Sequence, residues 1–215
     1  SNGPGKAYLV AVGVGEFGDK AIQPRPTADT DAKALHKLLT DAKVLGIAPD
    51  RAKVLTSADA TKEAVIKAIE TAMHETGKDD LLILAFFGRG SSVAEKPCFF
   101  TKESTFKDRA KNALTSTDLE PIFKKHLKGH KLLWMMDVSY KGIDAGKEKA
   151  LEPSLSDYLK MVFDEADRDD NSLPTNRVFV LGNLPFREAL TKGDHSLFYS
   201  VLADGLAGKA DEKPY

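Results

Sequence analysis

The chain has 215 residues, of which 42% are hydrophobic and 29% charged, and its net charge is −1 at pH 7. These values predict one globular domain with an adequate core, and no preference for nucleic acid or for an anionic membrane. The apolar runs are shorter than the roughly 18 residues of a membrane span, and the single Cys98 excludes an internal disulfide. We therefore expect a soluble protein whose compartment is not predicted. Ser1-Asn2 resembles a protease-cleavage scar, so we expect the chain to have been trimmed from a longer protein.

In the first half of the chain, apolar runs typical of buried strands alternate with apolar stripes typical of helices. Thr61 is predicted to cap the second of these helices. The predicted elements, in order, are strand Tyr8–Val14, helix Thr27–Ala42, strand Lys53–Leu55, helix Thr61–Thr76 and strand Asp79–Phe87.

The second half continues this alternation, which predicts a mostly parallel sheet covered by helices on both faces. One helix is expected to begin at a capping box and to reach about Leu127. The predicted elements are a hairpin arm at Cys98–Thr101, the capping box at Thr117–Glu120, strand His130–Met136, strand Arg177–Leu181 and helix Ser196–Leu206.

The segment Ile143–Asn176 breaks the alternation. It is charged and contains one predicted helix, Leu155–Glu165. We interpret it as a surface insertion or linker within a single domain that spans residues 1–215, because no composition shift marks a domain boundary.

Polar residues follow two of the predicted strands. The apolar run Leu81–Phe87 leads into Gly88-Arg89-Gly90, and Leu132–Met136 leads into Asp137-Val138-Ser139. Because α/β proteins place reactive groups where parallel strands end, Arg89, Asp137 and Ser139 are candidate site residues.

Four segments, in this order along the chain, resemble the caspase-like superfamily of clan CD cysteine peptidases (peptidase C14), and most closely its metacaspase and paracaspase branch. The resemblance implies a three-layer α/β/α sandwich with a mostly parallel sheet of about six strands. The segments are Thr27–Leu39 (the family's first helix), Asp79–Gly90 (a strand ending in Ser-Gly-His-Gly), Lys131–Gly142 (a strand ending in Asp-x-Cys-x-Ser-Gly) and His195–Lys209 (the terminal helix).

The family's catalytic pair is replaced. In the family, a His at the position of Arg89 assists a nucleophilic Cys at the position of Ser139. A serine hydroxyl needs a strong base nearby, and a guanidinium cannot be that base because it stays protonated. We therefore expect a pseudopeptidase that acts as a binding, regulatory or scaffolding module.

Two alternatives from the enzyme class remain open. The chain could be an inactivated mutant of a cysteine endopeptidase that cleaves after Lys or Arg, as the resemblance implies. It could also be a hydrolase in which Ser139 works with another base, for which Lys141 is a candidate because a desolvated lysine can accept a proton.

The resemblance also implies a pocket for a basic side chain. In the metacaspase and paracaspase branch, two carboxylates line this pocket, and Asp31 and Asp137 match their positions. Paired carboxylates recognise a guanidinium or an ammonium group, so the expected partner is a peptide or protein with a basic side chain. The alternatives are that Asp31 is a first-turn helix residue and Asp137 a strand-end residue, or that Arg89 pairs with Asp137.

Three further features have alternative interpretations. Cys98 is either a displaced nucleophile or a buried strand residue, and its neighbours Phe99 and Phe100 favour burial. Asp167–Asn171 resembles half of an EF-hand loop, but Ser172 replaces its turn glycine and Val178 its bidentate glutamate, which disfavours an EF-hand. Because some metacaspases respond to calcium, the resemblance leaves a looser calcium site as the alternative to a solvated linker, and no other cofactor or metal is expected. His195 is predicted to cap a helix or to face solvent.

Overall fold

A computed structural model of the chain describes residues 5–126, 131–148, 153, 157, 176–182 and 190–209. Within these ranges the helices are α1 (Thr27–Thr40), α2 (Lys62–Glu75), α3 (Arg109–Asn112), α4 (Ser116–His126) and α5 (Leu197–Leu206), with a 3-10 turn at Pro49–Arg51. The strands are β1 (Ala7–Gly13), β2 (Ala52–Thr56), β3 (Leu81–Val93), β4 (Lys96–Phe99), β5 (Leu114–Thr115), β6 (Lys131–Ser139), β7 (Arg177–Leu181), β8 (Thr191–Lys192) and β9 (His195–Ser196).

Seven of the described strands form one sheet. Its five parallel strands lie in the order β2-β1-β3-β6-β7. The carboxyl end of β3 also pairs with β4 in the antiparallel direction, and β4 pairs in turn with β5. Strands β8 and β9 form a separate hairpin. The predicted mostly parallel sheet is confirmed, and its seven described strands exceed the expected six because β5 adds a two-residue strand.

Helices cover both faces of the sheet. Successive side chains of a strand point to opposite faces, and β1 divides its residues in this way. Val10 and Val12 pack with residues of α2 and α4 on one face, whereas Leu9 and Ala11 pack with residues of α1 and α5 on the other. The three-layer α/β/α sandwich is therefore confirmed.

Side-chain hydrogen bonds mark the start of three helices. Thr61 accepts a hydrogen bond from the N–H of Ala64, which confirms the predicted cap of α2. Ser196 caps α5 in the same way. α4 begins at Ser116, one residue before the predicted capping box, and the carboxylate of Asp118 in its first turn accepts from both the N–H and the hydroxyl of Thr115.

Both strands that carry the candidate site extend beyond the predicted ends. β3 continues through Gly88-Arg89-Gly90 to Val93, and β6 continues to Ser139. The glycines favour a turn when read locally, but pairing of β3 with β6 and then with β4 supplies hydrogen bonds that keep the backbone extended. Arg89 and Ser139 thus lie in paired strands and not in loops.

The predicted insertion at residues 143–176 lies mostly outside the described residues, which include 143–148, 153, 157 and 176 of it. The predicted helix Leu155–Glu165 lies outside them except for residue 157, and the acidic run Asp167–Asn171 lies entirely outside. The insertion and the calcium site therefore stay predictions.

Candidate functional site

Arg89 and Ser139 lie side by side where the parallel pairing of β3 with β6 ends. They are register partners of β3 and β6. Ser139 is only 2% exposed. Its hydroxyl accepts a hydrogen bond of 3.3 Å from the backbone N–H of Lys141, so this contact involves the backbone of Lys141 and not its ammonium group.

The guanidinium of Arg89 donates to backbone carbonyls of two loops. Its Nε donates to Gln23, Nη1 to Lys141 and Nη2 to Pro24. Gly142 lies directly against this guanidinium, since a Cβ added there would be 2.6 Å from Nη1 of Arg89. Arg89 therefore holds the loop after β1 against the loop after β6, and its fixed positive charge cannot serve as a base.

Asp137, two residues before Ser139, forms a buried ion pair with Arg25. Nη2 of Arg25 lies 2.6 Å from Oδ2 of Asp137. Nη1 of the same guanidinium donates to the backbone carbonyl of Asp137 and, at 2.9 Å, to that of Gly88. Arg25 is 6% exposed and Asp137 is 1% exposed. One guanidinium is thus held by a carboxylate oxygen and two carbonyl oxygens.

Arg25 carries no local signal of this role in the sequence. It lies in a Pro-Arg-Pro run just before α1, and 112 residues separate it from Asp137. Only the folded chain shows which of its arginines lies beside Asp137.

Asp31 is also buried, but its partners differ from those of Asp137. Its Oδ1 lies 2.7 Å from Nδ1 of His195, and its Oδ2 accepts from the N–H of Ser196 at 3.0 Å. The ring of His195 in turn stacks against Tyr199, with 4.7 Å between the centroids. Burial, together with the nearby charge of Asp31, raises the pKa of Tyr199.

These contacts tie α1 to the start of α5. They also correct the expectation for His195, because Ser196 is the N-cap of α5 and His195 pairs with Asp31. The two predicted pocket carboxylates are both enclosed, and each is engaged by a different part of the chain.

The loop of residues 15–26, here called the strap, lies along the loop that follows β6. An isolated bridge joins Ile22 to Ile143, and the N–H of Gln23 donates to the carbonyl of Gly142 at 2.8 Å. Together with the bonds of Arg25 and Arg89, these contacts fasten the strap over the strand ends. The strap encloses the candidate site from one side.

Cys98 lies on β4 and is fully buried. Burial raises the pKa of its thiol to about 11, so the reactive thiolate is scarce near neutral pH. The interpretation of Cys98 as a buried strand residue is confirmed, and its environment disfavours a role as a nucleophile.

The described residues contain neither a candidate metal site nor a helix that could span a membrane. No group of three or more His, Cys, Asp or Glu side chains could hold a metal ion in that part of the chain. No helix in the described ranges is long and apolar enough to cross a membrane.

The chain forms a three-layer α/β/α sandwich with polar side chains where adjacent parallel strands pair. The sequence resemblance implies the same architecture. The family model of the caspase domain, peptidase C14, matches residues 6–211. The chain therefore belongs to the caspase-domain family. No curated protein sequence matches it.

Solved structures show the same fold at low sequence identity. Protein GSU0716 of Geobacter sulfurreducens superimposes with a TM-score of 0.64 and 15% identity, over 95% of this chain and 83% of that protein. The structure of pro-Sf-caspase-1 superimposes with a TM-score of 0.57 and 14% identity, over 95% of this chain and 73% of that one. A mostly parallel sheet flanked by helices is thus shared with a caspase and with a bacterial protein.

Proposed function

We propose that this caspase-fold domain binds a partner through a basic side chain and does not cleave it. It would then act as a binding, regulatory or scaffolding module. The observation that carries the proposal is the pairing of Arg89 with Ser139 across β3 and β6, where the resemblance expects a His and a Cys.

The chemistry at these two positions supports the absence of cleavage. A serine hydroxyl is a weak nucleophile until a base removes its proton. The neighbouring group is a guanidinium, which stays protonated in proteins, and it donates hydrogen bonds to the backbone carbonyls of Gln23, Lys141 and Pro24. Arg89 therefore neither accepts a proton from Ser139 nor supplies one to a leaving amine.

The surroundings of Asp137 support a ligand with a basic side chain. Oδ2 of Asp137 and the carbonyl oxygens of Asp137 and Gly88 surround the guanidinium of Arg25. This set of acceptors fits the planar donor fork of arginine better than the compact ammonium of lysine. The favoured partner is thus a peptide or protein that presents an arginine, in line with the basic specificity of the branch that the sequence resembles.

A peptidase assay tests the proposal. Fluorogenic peptides with Arg, Lys or Asp at the cleavage position are incubated with the unmodified chain and with Ser139→Ala. We expect no turnover above the Ser139→Ala background. Turnover by the unmodified chain that Ser139→Ala abolishes contradicts the proposal and favours a hydrolase in which Ser139 works with another base.

The Arg89→His/Ser139→Cys double variant, which restores the residue types of the family, is run beside them. Cleavage after basic residues by this variant alone supports a surviving pocket in a chain that has lost its catalytic pair. The single variants Arg89→His and Ser139→Cys are the controls, because neither restores both groups.

A further inference from the structure

We infer that Arg25 is a built-in occupant of the guanidinium site at Asp137, and that a partner's arginine binds there only by displacing it. The inference rests on the proposed function, since it concerns how the same ligand gains access. It adds a regulatory element, because the strap that carries Arg25 then controls whether the site is open.

Arg25 already uses the acceptors of the site. Oδ2 of Asp137 accepts from Nη2 at 2.6 Å, and the carbonyls of Asp137 and Gly88 accept from Nη1. Both charged residues are nearly free of solvent contact. An incoming guanidinium can reach these three oxygens only after the side chain of Arg25 has left.

Arg25 belongs to a loop and not to the core of the sheet. Its neighbours Gln23, Pro24 and Pro26 are exposed, whereas Arg25 itself points inward. The strap can therefore release the site by withdrawing a single side chain, while the strands that carry the acceptors stay paired.

Arg89 is a second arginine that binds the strap. Arg89 extends from β3 to the carbonyls of Gln23 and Pro24, so it fastens the strap from the opposite direction. The two arginines act on the same segment, and the closed arrangement satisfies both charges with acceptors of the chain. A partner that offers an equivalent guanidinium restores the ion pair that Asp137 loses when Arg25 leaves, and so offsets the cost of breaking a buried pair.

A small-molecule rescue experiment tests the inference without a known partner. Arg25→Ala leaves Asp137 without this guanidinium, so we expect the variant to melt at a lower temperature than the unmodified chain. Methylguanidinium should raise the melting temperature of Arg25→Ala in a saturable manner. It should have no comparable effect on the unmodified chain, where Arg25 fills the site, or on Arg25→Ala/Asp137→Asn.

Two controls separate site binding from general effects. Methylammonium at the same concentration carries the same charge without the planar fork, and it should rescue less. Arg51→Ala removes an arginine that lies over the ring of Tyr8, away from Asp137, and methylguanidinium should not rescue it. Equal stabilisation of all variants, or none of Arg25→Ala, overturns the inference.

A second readout is the binding of an arginine-containing peptide, measured by calorimetry. It uses Arg25→Lys and therefore tests the inference even where Arg25→Ala folds poorly. Arg25→Lys keeps a positive charge but donates to fewer acceptors, so the peptide should bind this variant at least about tenfold more tightly than the unmodified chain. Unchanged or weaker binding overturns the inference. Peptide cleavage by the unmodified chain would instead contradict the proposed function, so the two failures are distinguishable.

Discussion

The guanidinium of Arg25 and the carboxylate of Asp137 lie 2.6 Å apart in the interior of the domain, although 112 residues separate them in sequence. Their pairing joins the loop after β1 to the end of β6, the strand that also carries Ser139. The ion pair therefore links the strap to the candidate site, and this arrangement has measurable consequences for stability.

Removal of one partner of this buried pair should be strongly destabilising. We expect Arg25→Ala or Asp137→Ala to lower the free energy of unfolding by about 3–5 kcal/mol, because each removes an ion pair between two buried charges. The double variant should lose less than the sum of the single variants. Urea unfolding of all four proteins gives the coupling energy.

The Lys96–Glu120 pair is the matched control for this cycle. It has a similar distance of 2.8 Å, but its side chains are 51% and 35% exposed. The same cycle there should give a coupling of less than about 1 kcal/mol, because solvent screens exposed pairs. Equal coupling energies for the two pairs would show that burial does not determine how much the Arg25–Asp137 ion pair contributes to the free energy of unfolding.

Gly142 and Gly146 form a second matched pair. Both have positive φ, +69° and +58°. A Cβ at Gly142 would lie 2.6 Å from Arg89, whereas one at Gly146 would meet nothing within 4 Å. Gly146→Ala should cost about 1 kcal/mol for the left-handed backbone alone, and Gly142→Ala should cost roughly 2 kcal/mol more because it disturbs the hydrogen bonds of Arg89.

Urea unfolding of Gly142→Ala and Gly146→Ala measures the two costs side by side. Amide hydrogen exchange of Gln23 then reports whether the strap has loosened in Gly142→Ala. If both variants lose the same free energy, the guanidinium of Arg89 is not held firmly at this position.

Asp118 should make the stability depend on pH. Burial raises the pKa of its carboxyl, but hydrogen bonds from Lys62 and Thr115 outweigh burial, so the pKa lies below its ordinary value. A group with a lowered folded-state pKa stabilises the fold above its unfolded pKa of about 3.9, and this stabilisation is lost as the pH falls through the folded value. Asp118→Asn should thus be less stable than the unmodified chain at pH 7, by about 1 kcal/mol.

This difference should shrink below about pH 4, and unfolding in urea across the pH range measures it. Lys62→Met is the control, because it removes one of the partners that lower the pKa of Asp118. A difference that stays constant from pH 7 to pH 3 contradicts the assignment.

Cys98 should resist thiol reagents in the folded protein. With a pKa of about 11 and no solvent exposure, it should react with a disulfide reagent at pH 8 at least about a hundredfold more slowly than in urea, where the pKa returns to about 8.5. The absorbance of the released thiolate measures both rates. Comparable rates would mean that β4 opens readily.

Local patterns were enough to predict much of the fold. β1 is buried on both faces and is therefore a continuous apolar run, and α2 begins at a capping side chain, so both are marked by short segments of the sequence. The adjacency of Arg89 and Ser139 is likewise expected once both follow apolar strands of a parallel sheet.

Other features depend on partners far away in sequence. β3 continues past Gly88 because β6 and β4 pair with it. The turn that follows has positive φ at Ala94 and Glu95, residue types that do not signal such a turn. In each case the tertiary hydrogen bonds outweigh the local preference.

The alternation of apolar strands and helical stripes was sufficient to predict a parallel sheet with helices on both faces. The interpretation of Arg89 and Ser139 as replacements of a catalytic pair comes from the family resemblance and stays a prediction. The contacts of Asp31 with His195 and Ser196, and that of Asp137 with Arg25, depend on how distant segments pack together. The physical reason is that a buried carboxylate takes whichever donors the fold brings within about 3 Å, and no local pattern records that choice.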